Sequence, residues 1–196
     1  EARHFRKLLG VDELGRGPLA GPVAVGVAMA TPAVIKKFRA IKESKQLTRA
    51  QREEWYEEIL EEGSGIQFAV SFVSASQIDK HGINPGIHRA VLCSLKKLSP
   101  NPKHTRVLLD GGLYAPPEYT NQETIIKGDT KETIIAIASV VAKVERDRLM
   151  LRMHKKYPEY GFDRHVGYGT ARHIIAIKKH GLTPIHRKSF CKNILR

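Results

Sequence analysis

The chain has 196 residues and 41% of them are hydrophobic, a composition that excludes an intrinsically disordered protein and predicts a single domain over residues 1–196. No apolar run approaches the roughly 20 residues that a membrane-spanning helix needs, so no membrane partner is expected, and Cys93 and Cys191 are expected to be the reduced thiols of a cytoplasmic protein. The 33 Lys and Arg outnumber the 20 Asp and Glu, and the resulting net charge of +13 favours a polyanionic partner, most simply nucleic acid.

The first third of the chain is predicted to contain a β-hairpin, a helix and a further strand. Two segments rich in apolar and β-branched residues, 8–13 and 22–30, flank a Gly/Pro turn and predict the hairpin. The apolar spacing within 49–62, with Thr48 as N-cap, predicts a surface helix. A strand is expected over 66–73.

The middle of the chain continues this alternation of strands and helices. A helical turn is expected over 74–80. Residues 84–98 predict a longer helix, with Asn84 as N-cap and Pro85 in the first helical position. The apolar segment 106–110 predicts a strand that ends in an aspartate.

The last part of the chain is predicted to be mostly helical. A short strand over 124–129 precedes a long helix over 131–153 and a last amphipathic helix over 169–180. No acidic residue follows Asp163, so about 160–196 is expected to form a helical, basic extension that holds a polyanion. The pattern predicts an α/β protein with a central mixed sheet flanked by helices and a small helical C-terminal part.

Three predicted strands end in aspartates, which are otherwise rare in this chain. These are Asp12, Asp110 and Asp129, and Glu13 follows the first of them. Gathered at one sheet edge, these carboxylates would repel one another unless divalent cations lay between them. Oxygen-only ligands in a basic protein indicate Mg²⁺ or Mn²⁺ and two-metal phosphodiester hydrolysis. The alternative is that each aspartate is an ordinary turn residue.

The adjacency of Asp12 and Glu13 poses a geometric problem, because successive side chains of a strand point to opposite faces. If the strand stays regular, only one of the two is expected to point into the site. Either the strand breaks at Glu13, or Glu13 contributes through its backbone carbonyl or a bridging water.

Several long motifs, in order along nearly the whole chain, resemble those of bacterial ribonuclease HII, the type 2 ribonuclease H. The motifs are "GVDELGRGPLAGPV", "ESKQLT", "RVLLDGG", "IIKGDTKETIIAIASVVAKVERDRLM", "YPEYGFDRHVGYGT" and "PIHRKSF". The resemblance implies a ribonuclease H-like fold and a metal-dependent endonuclease that cleaves RNA in RNA–DNA hybrids. It also implies incision on the 5′ side of single ribonucleotides in duplex DNA, leaving 3′-hydroxyl and 5′-phosphate ends.

The resemblance also assigns roles to individual residues. It implies that two Mg²⁺ or Mn²⁺ ions are bound by Asp12, Glu13, Asp110 and Asp129. The backbone of Gly15, Arg16 and Gly17 is expected to recognise a ribose 2′-hydroxyl, although these residues also suit an ordinary tight turn. Tyr168 would stack on the sugar that follows the ribonucleotide, or else be a half-buried aromatic.

A second group of residues is expected to contact the duplex. Thr170 is expected to be a helix N-cap that approaches phosphate. Lys143 and Arg187 would contact phosphate or pair with nearby carboxylates, while Asp147 is expected in a helix-surface salt bridge or a structural hydrogen bond. The remaining predicted substrate-binding residues are Ser44, Lys45 and His186.

Two other functions remain open at this point. One is a different metal-dependent nuclease or a resolvase of the same fold, and the other is a non-catalytic, basic module that binds nucleic acid. The leading interpretation is a monomeric ribonuclease H whose partners are RNA–DNA hybrids and ribonucleotide-containing DNA.

Overall fold

Five strands form one mixed sheet in the computed structural model, which describes residues 6–41 and 45–194. The strands are β1 (Lys7–Leu14), β2 (Val23–Ala30), β3 (Gln67–Val73), β4 (Thr105–Asp110) and β5 (Gln122–Ile125). Their order in the sheet is β3-β2-β1-β4-β5. The hairpin of β1 and β2 is antiparallel, whereas β4 runs parallel to β1. The predicted α/β class with a central mixed sheet is confirmed.

Helices cover both faces of this sheet. They are α1 (Pro32–Lys37), α2 (Arg49–Leu60), α3 (Ala75–His81), α4 (Ile83–Leu98), α5 (Gly128–Lys131), α6 (Thr133–Lys156), α7 (Phe162–His165), α8 (Ala171–His180) and α9 (Lys188–Cys191). A single 3₁₀ turn, Pro158–Tyr160, links α6 to α7 in the described part of the chain. No helix among the described residues is long and apolar enough to cross a bilayer.

The two faces of the sheet bury separate apolar clusters. Leu9 and Val11 of β1 point to one face and pack with α4. The opposite face is covered by α6, whose apolar first half packs there with residues of α1 and α2. This alternation along β1 is what a sheet buried on both faces requires.

The helix α6 approaches the sheet closely at two glycines. A Cβ on Gly10 would lie 2.3 Å from the carbonyl oxygen of Ile134, and one on Gly26 would lie 2.3 Å from that of Ala138. Only glycine allows the helix backbone to come this near. The approach brings Ser139 of α6 to the end of β1.

A third apolar cluster forms the helical C-terminal part. Met150 of α6 packs there with Phe162, Ile177 and Cys191, which lie on α7, α8 and α9. The C-terminal helices are thus joined to the sheet through the second half of α6.

Two details of the expected elements are wrong. The strand predicted over 124–129 ends at Ile125 as β5, and Asp129 lies in the short helix α5 after Lys127, which has a φ of 55°. Asn84 is not the N-cap of α4, because the helix begins one residue earlier, at Ile83 after Gly82. The Asn84 side chain instead accepts a hydrogen bond of 2.5 Å from Arg16.

Candidate active site

Three carboxylates meet where the parallel ladder of β1 and β4 ends. The last paired positions of that ladder are Val11 and Leu109, so Asp12 and Asp110 come next on neighbouring strands. One carboxylate oxygen from each of Asp12, Glu13 and Asp110 lies within 4.8 Å of the others. We call these three residues the acidic cluster.

The structure resolves the problem of the adjacent carboxylates in a way that neither expected solution described. β1 stays regular to Leu14, so Asp12 faces α6 and Glu13 faces α4. β4, however, turns away directly after Asp110, where Leu113 donates a backbone hydrogen bond of 3.3 Å to the Asp110 carbonyl. No strand therefore lies beside Glu13 on the β4 side of β1. The Glu13 side chain passes around this unpaired edge and reaches the carboxylates of Asp12 and Asp110.

Asp129 reaches this region from the start of α5. The preceding residue, Gly128, donates its backbone N–H to Asp110 Oδ1 over 2.5 Å. Asp129 is 7% exposed and does not belong to the group of carboxylates that lie within 4.8 Å of one another. Its negative charge nevertheless raises the pKa of Asp12. The structure thus brings all four predicted acidic residues to one end of the sheet.

Burial and neighbouring charges raise the pKa of two carboxyl groups of the cluster, Asp12 and Glu13. Burial raises the pKa of Asp12 well above its ordinary value, and a hydrogen bond with Ser139 opposes that shift only partly. The charges of Asp110, Glu13 and Asp129 raise the pKa of Asp12 further. Burial also raises the pKa of Glu13, although the hydrogen bond and charge of Arg16 oppose the shift.

The donor set fits a divalent cation. Glu13 Oε1 accepts a hydrogen bond of 3.0 Å from Arg16, but Glu13 Oε2 is buried and has no hydrogen-bond partner among the described residues. A buried carboxylate oxygen without a donor is costly. Arg16 pairs with Oε1 only, and the other acidic groups near Glu13 carry like charge, so a cation is the partner that would satisfy the remaining carboxylate oxygens.

The loop of residues 15–17 follows β1 and lies beside the acidic cluster. Gly15 has a φ of 84°, and a Cβ there would lie 2.5 Å from Nε of the buried Arg146. A Cβ on Gly17 would lie 3.8 Å from the ring of Tyr168, which is 46% exposed. The structure therefore brings the 15–17 loop and Tyr168 together.

Two predicted substrate-binding residues prove to be buried. Arg187 is 0% exposed and its guanidinium donates to the backbone carbonyls of Gly15, Arg16 and Gly21, so contact with a phosphate or a carboxylate is the wrong expectation. His186 is 1% exposed and makes hydrogen bonds within the C-terminal cluster. Both side chains therefore bind other parts of the protein and are not accessible from the solvent.

The remaining predicted contacts are closer to expectation. Lys143 pairs with Asp147 over 2.7 Å, one of the two alternatives expected for it, and this pair is also the predicted salt bridge of Asp147. Thr170 is the N-cap of α8 and accepts a hydrogen bond from the backbone of His173. Lys45 is exposed in a turn, and the prediction for Ser44 falls outside the described residues.

Several residues that shape the site were not singled out by sequence reasoning. Arg146 lies four residues from both Ala142 and Met150, and therefore on the buried side of α6. This spacing is the one sequence signal that indicates its burial. Its two terminal nitrogens have no hydrogen-bond partner in the described part of the chain.

A cleft of about 660 Å³ lies next to Glu13. It is lined by Asn84 and by the rings of His88 and Tyr114, whose centroids are 4.2 Å apart.

Comparison with known proteins gives consistent results. The family model described as Ribonuclease HII matches residues 9–193. A protein named Ribonuclease HII from Syntrophobacter fumaroxidans is 45% identical over 186 residues, 95% of this chain and 77% of that protein. Another of that name, from Acetivibrio thermocellus, is 41% identical over 98% of this chain and 73% of its own length. The crystal structure of ribonuclease H2 from Pyrococcus horikoshii is similar with a TM-score of 0.77 and 29% identity, covering 96% of this chain and 97% of that one.

Proposed function

Because this chain belongs to the ribonuclease HII family and is accordingly a ribonuclease H acting on RNA–DNA hybrids, we propose that it also incises duplex DNA at a single embedded ribonucleotide. The cut falls on the 5′ side of that nucleotide and leaves 3′-hydroxyl and 5′-phosphate ends. The observation that carries the proposal is the contact of the 15–17 loop with both Glu13 and Tyr168. The exposed backbone at Arg16 and Gly17, beside carboxylates, suits recognition of a 2′-hydroxyl, the group that distinguishes RNA from DNA.

We propose that Asp12, Glu13, Asp110 and Asp129 hold two Mg²⁺ or Mn²⁺ ions. The proposal is supported by the all-oxygen donor set and by the unpartnered Glu13 Oε2. Such ions supply Lewis-acid activation of water and stabilisation of the leaving oxygen when they are bound.

The chain's own residues would orient the ribonucleotide against these carboxylates. Backbone groups of the 15–17 loop hydrogen-bond the 2′-hydroxyl of the nucleotide, and the Tyr168 ring stacks on the next sugar. The exposed ring of Tyr168 next to Gly17 is consistent with this arrangement. Together they fix the position of the scissile phosphate, and correct positioning supplies a large part of the rate.

The basic surface would provide affinity that does not depend on sequence. The exposed side chain of Lys45 and the N-terminal end of α8 at Thr170 are the proposed phosphate contacts. Ser44, adjacent to Lys45, is proposed to join them. We further propose a monomeric, cytoplasmic enzyme, in keeping with Cys93 and Cys191 both being free thiols.

The test is cleavage of three matched duplexes in Mg²⁺ or Mn²⁺: one all-DNA, one with a single ribonucleotide, and one RNA–DNA hybrid. We expect incision of the second immediately 5′ of the ribonucleotide, incision of the third within its RNA strand, and no incision of the first. The Tyr168→Ala variant, which leaves the acidic cluster intact, is expected to slow incision at the single ribonucleotide.

The outcomes separate the possible functions. Equal cutting of all-DNA and ribonucleotide-containing duplex would contradict the proposal and indicate a metal-dependent nuclease of broader substrate range. Binding of all three duplexes without any cutting would indicate a non-catalytic module.

A further inference from the structure

Two residues outside the acidic cluster are arranged to hold the 15–17 loop in a defined shape. We propose that Arg187 and Asp79 are positioning residues that set the selectivity of this loop for ribose over deoxyribose. This inference rests on the proposed function of the loop and concerns residues that touch neither the metal site nor the substrate.

The first step is the engagement of the whole Arg187 guanidinium by backbone carbonyls. Nη2 donates to the Gly15 carbonyl over 2.6 Å, Nη1 to that of Arg16 over 2.8 Å and Nε to that of Gly21 over 3.0 Å. The side chain is completely buried. A planar guanidinium with fixed donor directions can hold three carbonyls at once, which a lysine ammonium cannot do in the same geometry.

The second step follows from peptide geometry. In a trans peptide the C=O of one residue and the N–H of the next point in opposite directions. The peptides of the loop are trans, and Arg187 draws the carbonyls of Gly15 and Arg16 inward. The N–H groups of Arg16 and Gly17 consequently point outward, at residues that are exposed. Two successive N–H groups directed the same way form a cradle for an oxygen atom.

The third step is the anchoring of Arg187 itself. Asp79 of α3 accepts hydrogen bonds from the backbone N–H groups of Lys188 and Ser189, both over 2.9 Å, and from the Ser189 hydroxyl over 2.5 Å. Partial burial alone would raise the pKa of Asp79, but these hydrogen bonds lower it, so the group is a stable carboxylate. On the other side, the Arg187 N–H donates to the Leu19 carbonyl over 2.8 Å. The start of α9 is thereby fixed between α3 and the segment that follows the loop.

The experiment compares wild type with Arg187→Lys and Asp79→Ala. Single-turnover cleavage of the single-ribonucleotide duplex gives its half-saturating enzyme concentration, and competition by the all-DNA duplex gives an inhibition constant. Removing the negative charge of Asp79 is expected to change the binding of both duplexes by the same factor. This effect therefore cancels in the ratio of the half-saturating concentration to the inhibition constant. Thr48→Ala is the control, since it likewise removes a side chain that accepts a backbone hydrogen bond at a helix start, here from the Gln51 N–H of α2.

We expect the half-saturating concentration for the single-ribonucleotide duplex to rise about tenfold in both variants. The inhibition constant of the DNA competitor and its salt dependence are expected to stay within twofold of wild type, as are both constants in Thr48→Ala. If Arg187→Lys does not fold, Asp79→Ala tests the proposal alone, because Asp79 is only partly buried and its loss leaves the Arg187 contacts chemically possible.

Three results would overturn the inference. Equal weakening of both duplexes, with a shallower salt dependence, would make Arg187 a phosphate contact after all. An unchanged ratio in both variants, with the salt dependence of wild type, would leave the two residues with a purely structural role, as would an equal change of the ratio in Thr48→Ala. Failure of the wild type to cut at the ribonucleotide would instead remove the proposed function and would be seen before any variant is compared.

Discussion

Asp110 combines two contacts, one with the other carboxylates of the acidic cluster and one with the backbone N–H of Gly128. An Asp110→Asn change keeps an oxygen that accepts this N–H but removes the negative charge. We expect cleavage to fall by at least about a hundredfold, because several kcal/mol of charge stabilisation is lost. Duplex binding, measured by fluorescence anisotropy, is expected to change less than about threefold, a difference of well under 1 kcal/mol.

The control for this change is Asp163→Asn, an aspartate on α7 that pairs loosely with His154 and Arg164. It alters the net charge equally and is expected to keep wild-type cleavage. Loss of binding in step with loss of cleavage for Asp110→Asn would mean that Asp110 has a structural role only.

For single residues, the sequence predicts the chemical role of a side chain better than it predicts the groups that this side chain contacts. Carboxylates at strand ends are unusual, and this signal holds for Asp12 and Asp110 at the ends of their paired strands. Asp129 also lies at this sheet end, although it belongs to α5 and its expected strand end was wrong. Phosphate or a nearby carboxylate is the partner expected for Arg187, because a basic residue in a basic segment gives no sign that it is buried. Its partners are backbone carbonyls about 170 positions away in the chain, and no local pattern encodes them.

The C-terminal helices are joined by a chain of neutral histidines. His186 Nδ1 accepts the Thr183 N–H over 2.9 Å, so its Nε2 carries the proton and faces His173 Nε2 at 3.1 Å. His173 Nδ1 in turn donates to the Tyr168 carbonyl over 2.8 Å. Burial and, to a smaller extent, the charge that His173 would carry together lower the pKa of His186 to about 4.

This arrangement predicts acid sensitivity of the C-terminal part. The unfolded chain takes up a proton near pH 6.5 whereas folded His186 does so near pH 4, so stability is present above pH 6.5 and declines as the pH falls towards 4. The loss at pH 4.5 is about 2 kcal/mol relative to pH 7.5. Urea unfolding at several pH values measures it.

The variant that tests this assignment is His186→Asn, which keeps an acceptor for Thr183 but cannot be protonated. Its unfolding free energy is expected to depend less on pH between 4.5 and 6.5 than that of wild type. His81→Asn, at an exposed position of α3, is expected to keep the wild-type dependence. An identical pH dependence in wild type and His186→Asn would refute the assignment.

At the level of elements, those with a strong apolar period were predicted well. The hairpin, α2, β3, α4 and α8 lie within a few residues of their expected bounds. Short elements without a period, such as α1 and α9, were not expected. The predicted end of β5 is wrong because the chain turns at Lys127, which has a positive φ although it is not a glycine. A lysine in the sequence does not indicate such a backbone conformation.

Across the whole molecule, the excess positive charge predicts strongly salt-dependent duplex binding. Arg172 and Lys179 lie seven residues apart on the exposed side of α8, the helix whose N-cap follows Tyr168 by two residues. Replacing both with alanine is expected to lower the slope of log Kd against log salt by up to about 2, because each lost phosphate contact removes about one unit. Selectivity for the ribonucleotide is expected to stay unchanged.

The matched control replaces Lys36 and Lys37, two exposed lysines of α1. α1 follows the end of β2, and since β2 runs antiparallel to β1, it lies at the sheet end opposite the acidic cluster. This control removes the same charge and is expected to keep the wild-type slope. Equal reductions in both double variants would indicate a diffuse charge effect without a contact surface on α8.

The contact of α6 with Gly10 also has a consequence for how misassembled molecules behave. If β1 slid by one residue, Leu9 or Val11 would meet the α6 backbone, where a Cβ has no room, and the helix would not close over the sheet. The same slide would turn Asp12 to the other face. The Gly10 contact therefore couples the orientation of Asp12 to the closing of the core: a register error that turned Asp12 away would also keep α6 from packing on the sheet.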